Sequence, residues 1–272
     1  MSAASMGTPH TAPYVGAETA PNLLEIRGLA MGFGAAPDVL HGVDVTVKPG
    51  EFVTIIGPSG CGKSTVLNAV AGLLEPREGT VLFEGARVDR INTKIGYMTQ
   101  GDTLLPWLTV YANVALPLKY RRISREIIEQ KVNEVLTLLD LGAATKKFPS
   151  QLSGGMKRRA LLARSMIYQP QLMLMDEPFA ALDAQLRTQL HGELLRTTRL
   201  MNQAVLFITH DIYEAVLLSD KVLVLGGSPA QVVSTFEVPF VDRDVETLRF
   251  DSEFVALERE IHDALNAARG QK

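Results

Sequence analysis

A single cysteine, Cys61, stands in 272 residues, so no internal disulfide can staple the chain. That scarcity fits a reducing compartment and leaves burial as the source of stability. Also missing is any run of about 18 apolar residues, the length a membrane-spanning helix needs. If a membrane matters to this protein, a partner provides the crossing. Charge of one sign is lacking too: 27 Lys and Arg stand against 30 Asp and Glu, for a formal net charge of −3. No overall field draws the chain to nucleic acid. The local basic clusters, Arg121-Arg122, Lys146-Lys147 and Lys157-Arg158-Arg159, read as solvated faces of helices. No heptad run is present, which excludes a long coiled coil. Residues 1–22 are rich in Ala, Ser, Thr and Pro without a basic n-region or an apolar h-region. They read as a disordered tail and not as a signal peptide.

What is present is a chain with 46% hydrophobic residues, long enough for one large domain. Its organising stretch is Gly57-Pro58-Ser59-Gly60-Cys61-Gly62-Lys63-Ser64-Thr65, which fits the phosphate-loop pattern at every fixed position. A β-branched strand, Val53 to Ile56, precedes it, and residues 66–72 read as a helix ending on Gly72. The glycines let successive backbone N–H groups face a phosphate, with the partial positive charge of the helix N-terminus behind them. Lys63 is placed to reach the β- and γ-phosphates, and the Ser64 hydroxyl to ligate Mg²⁺. Cys61 lies beside that helix N-terminus and Lys63, surroundings that favour a thiolate.

From Leu23 the pattern alternates. Leu24 to Arg27 and Val43 to Val47 read as antiparallel strands around a loop with Gly32, Gly34 and Pro37. Phe33 on that loop can either stack on a base or plug the core between the strands. Beyond another strand, Thr80 to Gly85, and the segment Ile95 to Met98, the chain turns helical over residues 103–165. Ile128, Val132, Val135, Leu136 and Leu139 recur there at helical spacing, with Ser124 as an N-cap. The leading edge of this lobe holds Trp107 among apolar residues, as lobe core by default or as a partner surface. Leu152-Ser153-Gly154-Gly155 then opens a helix, either as a second anion-binding turn or as an ordinary N-cap with a flexible turn, the default for the segment taken alone.

Leu172 to Glu177 is a buried strand ending in two carboxylates. In a phosphate-loop protein Asp176 would hold Mg²⁺, and Glu177 would take a proton from attacking water. Asp183 opens the next helix as its cap. The strand Ala204 to Ile208 ends at Thr209-His210-Asp211, placing His210 on the edge where open α/β sheets gather ligands, within reach of a γ-phosphate. The last 45 residues contain an amphipathic helix with Phe254, Leu257, Ile261 and Leu265 on one stripe, too little for a regulatory domain.

Taken in order, the phosphate loop, Gln100, Leu152-Ser153-Gly154-Gly155, Asp176-Glu177, Asp183 and His210 resemble the nucleotide-binding subunit of ATP-binding-cassette transporters. The resemblance covers residues 23–227, leaving 228–272 as a C-terminal extension. It implies an α/β fold: a RecA-like P-loop NTPase core, an antiparallel β subdomain and an inserted helical subdomain. It further implies head-to-tail pairing of two copies, each ATP lying between the phosphate loop of one and Ser153, Gly154 and Gly155 of the other. Gln100 would then sense Mg²⁺ and the attacking water, Phe33 would stack on adenine, and Asp183 would cross the interface.

A narrower resemblance rests on Gln100, Leu104-Leu105-Pro106-Trp107, Met156, Met175-Asp176-Glu177-Pro178-Phe179 and the tail helix with Phe254 and Leu257. These look like the nitrate, sulfonate and taurine import branch. In that branch the ATPase is a separate polypeptide, peripheral on the cytoplasmic side of the cell (inner) membrane, working with a transmembrane permease and an extracytoplasmic solute-binding protein. Two residues depart from the wider family, where glutamine is commonest at the positions of Met156 and Arg158. The alternative, a non-transport cassette ATPase acting in DNA repair or translation, would bring tandem cassettes, coiled-coil insertions or basic excess, and none is seen. A scaffold that binds ATP without turnover would usually lack the base at Glu177.

Overall fold

Strand alternation builds the outer sheet first. In the computed structural model, which describes residues 21–180, 182–240, 243 and 247–269, β1 (Leu24–Gly32) pairs antiparallel with β2 (Asp38–Val47). Leu24 stands opposite Val47 and Ile26 opposite Val45, so one face is apolar. Residues 1–20 of the expected tail lie outside the described residues. Next, β3 (Phe52–Ile56) is buried at every residue and feeds the phosphate loop, which opens α1 (Lys63–Val70). Just past this helix Gly72 has φ +70°, and a Cβ there would run into the Arg90 carbonyl. Only glycine fits so close an approach. β4 (Glu78–Phe83) and β5 (Ala86–Arg87) complete an antiparallel sheet of order β2-β1-β4-β5.

β6 (Gly96–Met98) returns the chain to the core before the helical lobe of α2 (Val110–Tyr120), α3 (Arg125–Leu138) and α4 (Gly154–Met166). Ser124 caps α3 through the Ile127 amide. The chain continues through β7 (Leu172–Asp176), α5 (Ala184–Leu200), β8 (Ala204–Ile208), α6 (Ile212–Leu218), β9 (Lys221–Gly226), β10 (Gln231–Glu237) and α7 (Ser252–Arg269). The second sheet runs β10-β9-β3-β8-β7-β6, parallel except for β10.

Period-two alternation distributes these strands between two cores. Phe52, Ile56, Met173, Met175, Val205 and Phe207 face the side covered by the lobe and α5 to α7. Val53, Ile55, Leu172, Leu174, Leu206 and Ile208 face α1 and the outer sheet. Because β3, β7 and β8 are parallel, their carboxyl ends share one edge, which is where the phosphate loop, Asp176 and His210 emerge.

The segment after residue 227 packs on the main sheet: β10 pairs with β9 and extends it, and α7 packs on it through Phe254, Ile261 and Leu265. β10 is an edge strand whose residues are mostly half-buried, so its apolar pattern is too weak to read in advance. Trp107, by default assigned to the lobe core, is 69% exposed, while neighbouring Leu104 fills the core instead.

Candidate functional site

The phosphate loop is shaped by what it packs against. A Cβ on Gly57 would sit 2.8 Å from the Leu225 carbonyl, and Gly62, with φ +98°, lies against Leu40 and Val39 of β2. Both sheets therefore fix the loop. No side chain caps the start of α1, which leaves its first N–H groups for an anion. Lys63 is buried, and its Nζ donates to the carbonyls of Gly57 and Pro58 at 2.9 Å each. Its charge is thus held against the loop's own backbone, at the wall of the cleft.

Ser64 follows and hydrogen-bonds Asp176, which is 7% exposed. Burial pushes the Asp176 carboxyl above the usual carboxylate range, and the charge of Glu177 adds to this, while Ser64 and Lys63 oppose it. A hydroxyl and a desolvated carboxylate suit a hard cation whose remaining ligands are phosphate and water. Among the described residues no group of three or more His, Cys, Asp or Glu could hold a metal by itself. The pair fits Mg²⁺ only as part of a nucleotide complex.

Glu177 is the strained member, with a non-glycine φ of +44° immediately before Pro178. Proline steers its predecessor toward extended backbone, so this conformation costs about 1–3 kcal/mol. Its N–H donates to the Ile208 carbonyl at 2.9 Å, which holds the bend. The consequence is that the carboxylate faces its two candidate partners: Gln100 Nε2 donates to Oε2 at 3.1 Å, and His210 Nδ1 lies 3.4 Å from the same oxygen.

The resulting cleft, about 620 Å³, is lined by Phe33 and Val39 from the outer sheet, by Ser59, Gly60, Gly62, Lys63, Ser64 and Thr65, and by Gln100, Asp176, Glu177 and His210. Phe33 is 53% exposed and stands at its wall, so the core-plug reading falls. Val39 was missed by sequence reasoning, because nothing local marks the first residues of β2 as neighbours of the loop. Cys61 departs from expectation: burial raises its thiol, outweighing Lys63 and the hydrogen bonds that lower it.

Ser153, Gly154 and Gly155 do not line this cleft. Ser153 caps α4 by accepting the Met156 amide at 3.3 Å, and with Gly154 it is exposed. Gly155 is buried against Leu186 of α5, whose side chain would have to shift to admit a Cβ. Asp183 caps α5 through the Leu186 amide at 3.0 Å. The basic cluster after the signature turn is not a solvated face. Lys157 Nζ lies 3.1 Å from Asp102, Arg158 donates to the Gln100 carbonyl at 2.6 Å, and Arg159 donates to the Leu139 carbonyl at 3.1 Å. Arg121, Arg122, Lys146 and Lys147 are exposed as expected, Arg121 stacking over the Tyr168 ring at 3.9 Å.

Residues 40–180, from most of β2 through the turn after Glu177, match the family model described as ABC transporter. The chain belongs to the ABC transporter family. It is 39% identical over 222 residues to a taurine import ATP-binding protein of Pseudomonas fluorescens, covering 81% of this chain and 84% of that one. A nitrate import ATP-binding protein of Synechococcus elongatus is 41% identical over 204 residues, 74% of this chain but 31% of the relative. The chain therefore spans about a third of that relative's length. Among solved structures, the dimeric ATP-binding cassette MJ0796 in a post-hydrolysis state with ADP and Pi superposes with TM-score 0.71 at 29% identity, covering 80% of this chain and 99% of that one. The fold is that of an ABC ATPase cassette. Among its described residues no helix is long and apolar enough to cross a membrane.

Proposed function

We propose that this chain binds and hydrolyses ATP to energise uptake of a small, anionic or sulfonated solute through a separate transmembrane permease. The observation that carries the reading is the separation of its two anion-binding turns: the phosphate loop lines the cleft, and the signature turn stands exposed outside it. Each is half of a site. Two copies placed head to tail would set Ser153, Gly154 and Gly155 of one against the nucleotide of the other. The relatives named for nitrate and taurine import support a solute of that class; in this reading an extracytoplasmic binding protein would deliver it. They favour transport over repair or translation. The chain would then sit peripherally on the cytoplasmic side of the cell membrane, with the exposed Trp107 edge available to the permease.

In this reading the backbone amides of the phosphate loop and Lys63 hold the triphosphate, and Phe33 stacks on the base. Ser64, Asp176 and Gln100 would hold Mg²⁺, which would supply neutralisation of charge on the phosphate oxygens. Glu177 orients the attacking water and takes its proton, while Gln100 and His210 keep its carboxylate aimed at the end of the cleft. Glu177→Gln should bind ATP with ordinary affinity, lose turnover and accumulate as a dimer on size exclusion. Ordinary turnover in that variant would remove Glu177 from the mechanism.

A further inference from the structure

We infer that Arg158 is a positioning residue that transmits the state of the signature turn to Gln100 and Glu177 of the same subunit, and so links the two nucleotide sites of a dimer. The inference rests on the head-to-tail reading above. Its starting point is a chain of contacts. Ser153 and Gly154 begin α4, and Arg158 follows one turn later on the same rigid rod. Arg158 Nη2 donates to the backbone carbonyl of Gln100 at 2.6 Å. The side chain of that same glutamine reaches Glu177 at 3.1 Å. A shift of the turn that faces the partner's nucleotide is thereby delivered to the base acting on this subunit's own nucleotide.

α4 grips the glutamine segment at more than this one place. Lys157 pairs with Asp102 at 3.1 Å, and Arg164 donates to the Thr103 carbonyl at 2.8 Å and to its hydroxyl at 2.7 Å. Of these three cations Arg158 is the one that hydrogen-bonds Gln100 itself. Its other terminal nitrogen, Nη1, is buried without a hydrogen-bond partner. A stranded buried donor costs stability, so this guanidinium is poorly explained as a fastener. Nor does α4 need one, since Ala160, Leu161, Leu162, Ala163 and Met166 already bury its inner face. A glutamine in its place would be shorter and carry no charge to strengthen such a bond.

The test is steady-state ATP hydrolysis by the full chain across ATP concentrations, with binding of a fluorescent ATP analogue measured alongside. Arg158→Gln should lower kcat by about fivefold to tenfold and reduce the Hill coefficient toward one, with analogue affinity unchanged within about twofold. Arg158→Lys, which retains a charged donor, should recover most of the loss. In a Gln100→Ala background Arg158→Gln should have no further effect, because the route is already cut. A purely structural role would instead lower the melting temperature and leave the two substitutions additive. Additive losses, or an Arg158→Gln enzyme with wild-type kcat and cooperativity, overturn the inference while leaving the ATPase reading intact. A wild-type chain that does not turn over ATP overturns both.

Discussion

Replacing Asp211 tests how the turn bearing His210 is held. Its Oδ1 accepts the amides of Tyr213 at 2.9 Å and Glu214 at 3.3 Å, capping α6, and its Oδ2 lies 3.4 Å from Arg187 Nη1. α6 is only 7 residues long, so the cap satisfies a large share of its free donors. Its own N–H donates to the Thr209 hydroxyl at 3.1 Å, and Thr209 in turn donates to the buried Glu214 at 2.6 Å. Both sides of His210 therefore hang on this residue. Losing a cap costs about 1 kcal/mol. The ion pair, with both side chains 31% exposed, adds at most about 1 kcal/mol after screening. Asp211→Ala should thus lose about 1–2 kcal/mol, or about 2–8 °C in Tm for a domain of this size. Asp211→Asn keeps the capping oxygen and should stay within about 1 kcal/mol of wild type. Thermal melts and ATPase assays on the same preparations decide it: kcat should fall in Asp211→Ala and stay near normal in Asp211→Asn. If Asp211→Asn melts as low as Asp211→Ala, the charge pair with Arg187 and not the cap holds the turn, and the reasoning fails.

Two further outcomes concern ionisable groups of the phosphate loop and the cleft, Cys61 and Asp176. Because burial raises the Cys61 thiol, alkylation at neutral pH should be slow, should accelerate as pH rises, and should be slowed further by ATP; labelling as fast as a free exposed thiol would refute the burial argument. Burial also raises Asp176, so the folded chain holds that proton to higher pH than the unfolded chain, and its contribution to stability declines as pH rises from the unfolded carboxylate range through the folded pKa. Asp176→Asn should therefore melt above wild type at pH 8 without nucleotide, the gap closing as pH is lowered toward the carboxylate range, and should gain no stability from Mg²⁺ with ATP. An unchanged or lower melting temperature at pH 8 would contradict it.

The legible parts of this molecule share a cause. The phosphate loop, Asp176-Glu177 and Thr209-His210-Asp211 are each contiguous, and each follows a short apolar strand, so local pattern alone places them at strand ends. Parallel pairing then brings them to one edge without further information. Caps were equally readable, since Ser124, Ser153 and Asp183 accept the amide three residues on. What stayed hidden depends on distant packing. Whether Trp107 or Leu104 enters the lobe core is decided by α2 and α4, not by their own neighbours. The thiol of Cys61 responds to the walls closing over the loop. Arg158 looked like one cation of a solvated run because its partner, the Gln100 carbonyl, lies 58 positions away in sequence. Only its departure from glutamine was visible, and that marks a position without naming the contact.

The geometry also argues about why hydrolysis would need a pair. His210 has a side chain 62% exposed, so the end of the cleft where it stands with Glu177 is open to water. In an open cleft the fixed dipoles of the loop compete with solvent, and their hold on developing charge is weak. The donors that could close it, the serine hydroxyl and amides of the signature turn, lie on another face of the same chain. A rigid α4, anchored by its buried face, cannot fold them back. A second copy can present them, exclude water from the exposed end and, through Arg158, report that closure to its own Gln100. Closure and competence would then be one event, and an isolated cleft would hold ATP without cutting it efficiently.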